Sequence, residues 1–227
     1  MWNAQRDMEI WETIAVEAHS RHSRKTSAYV NLQTIVEDRA HKLVADRVRG
    51  SARVLEIGVG GGEHLIYRHS ETGAQRYTGL DLSPEYAEIC RQKFGIEVVC
   101  CDAADMPFDE GSFNDVIAIS ILEHVERLND TLLSVKRVLA ADGKFHVVVP
   151  TNGSLAVNAF KLLVTYPTLR RRGIEKPALV WHTLNVNSFK RVKALLSNHF
   201  SQVEETGIPS RFVPWWLSPL WVFECKA

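Results

Sequence analysis

Hydrophobic and polar residues alternate along this chain in two distinct periods. Between Met8 and Ala18, the residues Met8, Trp11, Ala15 and Ala18 recur at helical spacing, and a second helical pattern runs from Leu32 to Val48. Beyond Gly50 the pattern changes to short apolar runs: Arg53 to Ile57, Tyr77 to Leu80, Glu97 to Cys101, Val116 to Ser120 and Phe145 to Val149. Amphipathic segments separate them. Leu128, Leu132, Val135 and Leu139 mark one such helix, which Gly143 is placed to stop. Strands that alternate with helices predict an α/β fold with a doubly wound, mostly parallel sheet and helices on both faces. After Pro150 the alternation pauses. Residues 151–186 read as an insertion with one helix, about Leu155 to Thr165, and a basic turn at Arg170 to Arg172. A final helix, Ser188 to Phe200, and two strands, Gln202 to Glu205 and Leu220 to Cys225, bring the sheet to seven strands. The expected organisation is an N-terminal helical lid over 1–50, a core over 51–150, the insertion as an acceptor-side lid over 151–186, and a closing segment over 187–227.

The most informative stretch is Glu56-Ile57-Gly58-Val59-Gly60-Gly61-Gly62, an apolar strand ending in an acid and a glycine turn. Glycine lets the backbone turn sharply and lets a ligand approach the main chain. A helix expected beyond the turn would offer free N–H groups to a carboxylate. A dinucleotide fingerprint fits poorly. GxGxxG counted from Gly58 meets Glu63, and counted from Gly60 it meets Leu65. Three further strand ends carry polar groups: Asp81; Asp102 with Ala103; and Ser120 followed by Ile121-Leu122-Glu123-His124-Val125. In open α/β sheets, ligands bind along that one edge.

Taken together, Glu-x-Gly-x-Gly-x-Gly at Glu56 to Gly62, Asp81, Asp102-Ala103 and Leu122 to Val125 resemble class I S-adenosylmethionine (SAM)-dependent methyltransferases. The nearest likeness is to the small-molecule group that includes quinone-biosynthesis enzymes, and it covers roughly Ala52 to Pro150. The resemblance implies a Rossmann-like fold and SAM as cofactor. It implies Glu56, Gly58 and Gly60 around the methionine end, Asp81 on the ribose hydroxyls and Leu82 against the adenine. It further implies Asp102 and the Ala103 N–H at the adenine edge, Ser120 beneath the sulfonium and His124 near the donor methyl. An acid-lined pocket suits the sulfonium and ammonium cations of SAM.

Methyl transfer from a sulfonium requires alignment and exclusion of water, and a base only where the acceptor must lose a proton. His124 and His182 are the two candidate bases or positioning groups, with a hydrogen-bonded structural histidine as the alternative for each. The remaining histidines, His41 and His64 among them, read as surface or structural residues. No cluster has metal-ligand spacing, so no metal is expected. Aromatic residues including Trp2, Trp11, Trp181, Trp215 and Trp216 could roof an apolar or planar acceptor.

Composition adds limits. Formal net charge is zero, which gives no electrostatic reason to expect nucleic acid. No apolar run reaches membrane-spanning length and the N-terminus lacks a signal-peptide core, so a cytoplasmic location is expected. The four cysteines make no CxxC pair, in keeping with free thiols. Lys161, Arg170, Arg171, Arg172 and Lys176, less Glu175, leave a local charge of +4 near Leu162 and Leu163. This is either a solvated basic turn or a contact for an anionic membrane or a phosphorylated acceptor. The expected activity is methyl transfer to a small-molecule acceptor at oxygen, the acceptor lipid-linked, sugar-like or quinone-like. The alternatives are a catalytically silent SAM-binding scaffold and a protein or RNA methyltransferase.

Overall fold

A computed structural model describes residues 4–20, 28–68 and 76–226. Trp2 and residues 21–27 of the expected N-terminal lid lie outside the described residues.

Seven strands form one sheet: β1 (Arg53–Ile57), β2 (Arg76–Asp81), β3 (Glu97–Cys100), β4 (Phe113–Ile119), β5 (Leu139–Pro150), β6 (Gln202–Ile208) and β7 (Leu220–Lys226). Their order is β3-β2-β1-β4-β5-β7-β6. The first five are parallel, and β7 runs antiparallel between β5 and β6. The order in which strands are added reverses between β1 and β4, which makes their C-terminal ends the crevice of the fold.

Period-two alternation sorts each strand between two helical layers. Leu55, Ile57, Val116, Phe145, Val147 and Phe223 face one way, against α4 (Leu128–Val138) and α8 (Phe189–His199). Val54, Tyr77, Val98, Ile117, Val148 and Val222 face the other, against α2 (Ala28–Arg47) and α3 (Pro84–Phe94). Ser83 caps α3, accepting from the Tyr86 N–H with Pro84 in the first turn, and Gly95 closes it in the left-handed conformation. The fold is the doubly wound, mostly parallel architecture that the pattern predicts.

Three local expectations need correction. Helix α4 ends at Val138, not at Gly143, and Gly143 lies inside β5. A Cβ there would sit 2.9 Å from the Ala140 carbonyl oxygen, so the glycine serves a tight bend early in the strand. After the glycine turn, the described residues form a 3₁₀ turn, Leu65–Tyr67, rather than the start of an α-helix. The insertion holds more helix than expected. Helix α5 (Leu155–Phe160) runs through a π-helical stretch, Lys161–Thr165, into α6 (Tyr166–Arg171), and α7 (Pro177–Leu184) follows. The arginines read as a basic turn occupy the end of α6, where cations suit the helix dipole.

The N-terminal helix α1 (Ala4–Ser20) and the insertion form one unit. Met8, Ile10, Trp11 and Ile14 pack on Leu169, Ile174, Val180 and Leu184. The buried Asp7 carboxylate accepts the backbone N–H groups of Glu175 and Lys176, both at 3.0 Å, and so ties α1 to the segment just ahead of α7. Among the described residues, no helix is long and apolar enough to cross a membrane. All four cysteines are free thiols.

Candidate active site

The glycine turn is shaped by sterics. Gly58, Gly60 and Gly62 have φ of 68°, 53° and 84°. A Cβ on Gly58 would stand 2.5 Å from Ile121 Cγ1, and one on Gly62 would stand 2.2 Å from Phe94 Cε2. Gly62→Ala therefore meets both a left-handed backbone and a filled space. A loss of about 2–4 kcal/mol is expected, measured by urea unfolding without ligand.

Asp81, at the end of β2, ties this turn down. Its Oδ2 accepts the Gly60 N–H and its Oδ1 accepts the Ser83 N–H, both at 2.9 Å. A carboxylate has about four lone-pair sites, so each oxygen can accept one more bond, enough for a vicinal diol. Glu56, at the end of β1, is only 3% exposed and accepts from the Tyr77 hydroxyl at 2.8 Å. Burial pushes its carboxyl up to about 8, helped by Glu63 and Asp81 and opposed by the Tyr77 bond and by Arg68.

Ser120 ends β4 with φ 50°, an uncommon conformation for a residue with a Cβ, and its N–H donates to the Val148 carbonyl at 2.8 Å. His124 stands on the turn beyond. Its Nδ1 lies 2.7 Å from the Leu184 carbonyl oxygen, which can only accept, so Nδ1 carries the proton and Nε2 is left with a lone pair. Burial lowers the pKa of His124 and the Leu184 bond partly offsets this, so the ring is neutral near pH 7. Glu123 beside it is buried, with Oε1 3.8 Å from His124 Nε2 and no partner for Oε2. Burial raises its carboxyl to about 8.

These ends meet around a cavity of about 570 Å³. Glu56, Gly58, Gly60, Asp81, Ser120 and His124 line it; Leu82, Asp102, Ala103 and His182 do not. Leu82 follows Asp81 and is 71% exposed. Asp102 stands on the same sheet edge, because Asp81 pairs with Cys100. There Asp102 accepts the Ala104 N–H at 2.9 Å and lies 3.7 Å from Arg127 Nη1, a partner that sequence reading missed. His182 is exposed on α7, and it is Leu184, two residues on, that reaches the cavity.

Two histidines read as surface or structural residues line the cavity instead. His64 is buried, which lowers its pKa to about 3 and keeps it neutral. Its Nδ1 lies 3.1 Å from Nδ1 of His41, and His41 stacks on Tyr67 with ring centroids 5.1 Å apart. The one sequence signal for His64 was its position two residues after Gly62. From the lid, Trp11 lines the cavity and meets Trp181 edge-on at 6.5 Å. Trp215 does not roof the site; it stacks on Phe189 in the core at 5.6 Å.

Glu37, Glu56, Glu63 and Asp81 line the cavity, and among the described residues no Lys or Arg does. That lining disfavours a pyrophosphate and suits a cation. The glycine turn with no room for side chains, the free lone pairs of Asp81 and the four acids fit a nucleoside that carries sulfonium and ammonium charges.

Residues 55–147 match a family described as a methyltransferase domain. By that match residues 55–147 are a methyltransferase domain, in a fold shared with SAM-dependent methyltransferases. The domain is similar to a fatty-acid O-methyltransferase of Mycolicibacterium smegmatis, 33% identical over 108 residues, or 46% of this chain and 39% of that protein. It is also similar to a probable tRNA methyltransferase 9B of Mus musculus, 29% identical over 147 residues, or 63% of this chain and 31% of that protein. This chain thus spans well under half the length of those relatives. In fold it is similar to a SAM-dependent methyltransferase of Thermotoga maritima, described as a possible histamine N-methyltransferase. The TM-score is 0.67 at 15% identity, with 96% of this chain and 98% of that one covered. The domain's cofactor is SAM.

A cation bound beside the buried Glu56 is expected to bind in a pH-dependent way. Without ligand its carboxyl holds a proton up to about pH 8, against an ordinary value of 4.5. A cation bound beside it favours the ionised form. Binding is therefore expected to release a proton at neutral pH, and affinity to rise with pH to about 8 and then level. Calorimetry in buffers of different ionisation enthalpy measures the proton directly, and Glu56→Gln should remove it.

Proposed function

We propose that this chain is an enzyme that transfers a methyl group from SAM to the oxygen of a small, largely apolar acceptor. The observation that carries the reading is the neutral His124 on the wall of an acid-lined cavity, its protonated nitrogen held by Leu184 and its lone pair on Nε2. SAM, when bound, supplies an electrophilic methyl carbon with a neutral thioether as leaving group. The chain's own residues do the rest. Glu56, Gly58 and Gly60 would hold the methionine end and Asp81 the ribose, with Leu82, Asp102 and Ala103 toward the adenine and Ser120 beneath the sulfonium. His124 would take the proton of an acceptor hydroxyl as its oxygen attacks. The lid formed by α1 and the insertion closes the cavity with Trp11 and Leu184, apolar surfaces that exclude water and favour an apolar acceptor. The name of the bacterial relative, a fatty-acid O-methyltransferase, supports an acceptor of this class. We assign the base to His124 rather than His182, because only His124 lines the cavity.

A second reading, transfer to RNA, draws on the name of the mouse relative. Methyl-labelled SAM distinguishes the two. Incubation with cell extract should place label in the solvent-extractable lipid fraction, and label confined to RNA or protein would sink the small-molecule reading. A protein that binds SAM but labels nothing would be the silent scaffold.

A further inference from the structure

Helix α5, the π-helical stretch and α6 form one continuous rod from Leu155 to Arg171, which buries a lysine as well as Leu169 and leaves three other leucines exposed. The inward face buries Lys161, 7% exposed, with its ammonium 4.4 Å from the centre of the Trp181 ring. Burial lowers that ammonium to about 8. The outward face shows Leu162 and Leu163, 65% and 78% exposed. Leu155 is exposed one side of them along the rod, and exposed Ala159 and Pro167 continue the stripe at spacings of three to four residues. Single exposed leucines are ordinary, but a contiguous stripe of them marks a surface that something covers.

Two neighbouring features extend the stripe. The loop between β6 and β7 abuts the start of the rod, where the Ala156 N–H donates to the Trp216 carbonyl at 3.4 Å. That loop leaves Trp216 and Leu217 nearly half exposed. At the other end of the rod, Arg170, Arg171 and Arg172 are all exposed. The nearest acid in sequence, Glu175, is paired with Arg6 at 3.5 Å. Apolar side chains bordered by the exposed cations Arg170 and Arg171 complement an anionic lipid surface, into which leucine and tryptophan can sink while arginine meets the headgroups.

We propose that the Leu155–Arg171 rod docks this protein onto an anionic bilayer. The outward stripe faces the lipid, while Lys161 on the opposite face supports Trp181, which packs on the cavity-lining Trp11. Docking would hold the lid side of the cavity near the membrane. The surface chemistry does not depend on the methyl-transfer reading and can be measured without SAM.

The test is co-sedimentation of the full chain with phosphatidylcholine vesicles, with and without phosphatidylserine. Binding is expected only to the phosphatidylserine vesicles and should weaken as salt rises. Exchanging Arg170 and Arg171 for Gln should weaken it roughly thirtyfold, since each basic residue near such a surface is worth about fivefold. Leu162→Ser with Leu163→Ser should weaken it by on the order of tenfold or more, with the thermal midpoint unchanged because both side chains are exposed. Equal binding by wild type and both variants, or no preference for phosphatidylserine, would overturn the proposal. So would a wild-type dimer that the leucine variant converts to monomer, because the stripe would then belong to a second copy.

Discussion

Asp81→Ala is expected to weaken SAM binding by about 2–4 kcal/mol, a loss of more than tenfold. Each carboxylate oxygen already accepts one backbone N–H, from Gly60 and from Ser83. The substitution removes the acceptors for the ribose hydroxyls and at the same time unties the glycine turn. Ligand-free stability should therefore fall as well, by about 1–2 kcal/mol, because two charge-assisted bonds are lost. Asp81→Asn separates the two effects. It keeps one oxygen for one of the two N–H groups but sets an amide NH2 against the other, so stability should recover only in part and affinity should not. An Asp81→Ala protein that is folded and binds SAM as tightly as wild type would remove Asp81 from the site.

His124→Ala is expected to lower turnover by about 10²–10⁴-fold with SAM affinity nearly unchanged. The imidazole is held in one tautomer by Leu184, shifted toward its neutral form by partial desolvation although its side chain is 41% exposed, and set on the cavity wall. The effect should be in kcat rather than in binding. Because its pKa lies below the ordinary 6.5, the activity limb that reports this base should fall only as pH drops below that value. His182→Ala serves as the contrast. That residue is exposed on α7 and lines no part of the cavity, so turnover should stay close to wild type. Full turnover by His124→Ala, with an acceptor identified by labelling, would show that the reaction proceeds without this base. The chemistry would then rest on alignment alone.

What the sequence made legible follows from range. Strands β1 to β5 were readable because buried parallel strands are short apolar runs, and their polar ends advertised the ligand edge. Glu56, Asp81, Ser120 and His124, which line the cavity, stand at or just beyond those ends. His41 and His64 line it too. One stands on α2 and the other just after the glycine turn, and nothing local in the sequence tells that they meet at 3.1 Å. Helix α7 was missed for a similar reason. No side chain caps it, and the segment just ahead of it is held by Asp7, more than 160 residues away in sequence. The Arg127 partner of Asp102 and the burial of Lys161 are likewise products of tertiary packing. In the insertion, Leu162 and Leu163 face outward while Lys161 takes a buried position, a placement that the local sequence does not reveal.

The central claim is that the acid-lined crevice between β1 and β4 binds a sulfonium nucleoside and not a dinucleotide. Titration calorimetry of the folded protein with SAM, S-adenosylhomocysteine and NAD tests it most directly. The account predicts one-to-one binding of both sulfur ligands, proton release with SAM at pH 7 that Glu56→Gln abolishes, and no heat with NAD. Binding of NAD, or the absence of binding by either sulfur ligand, would contradict it.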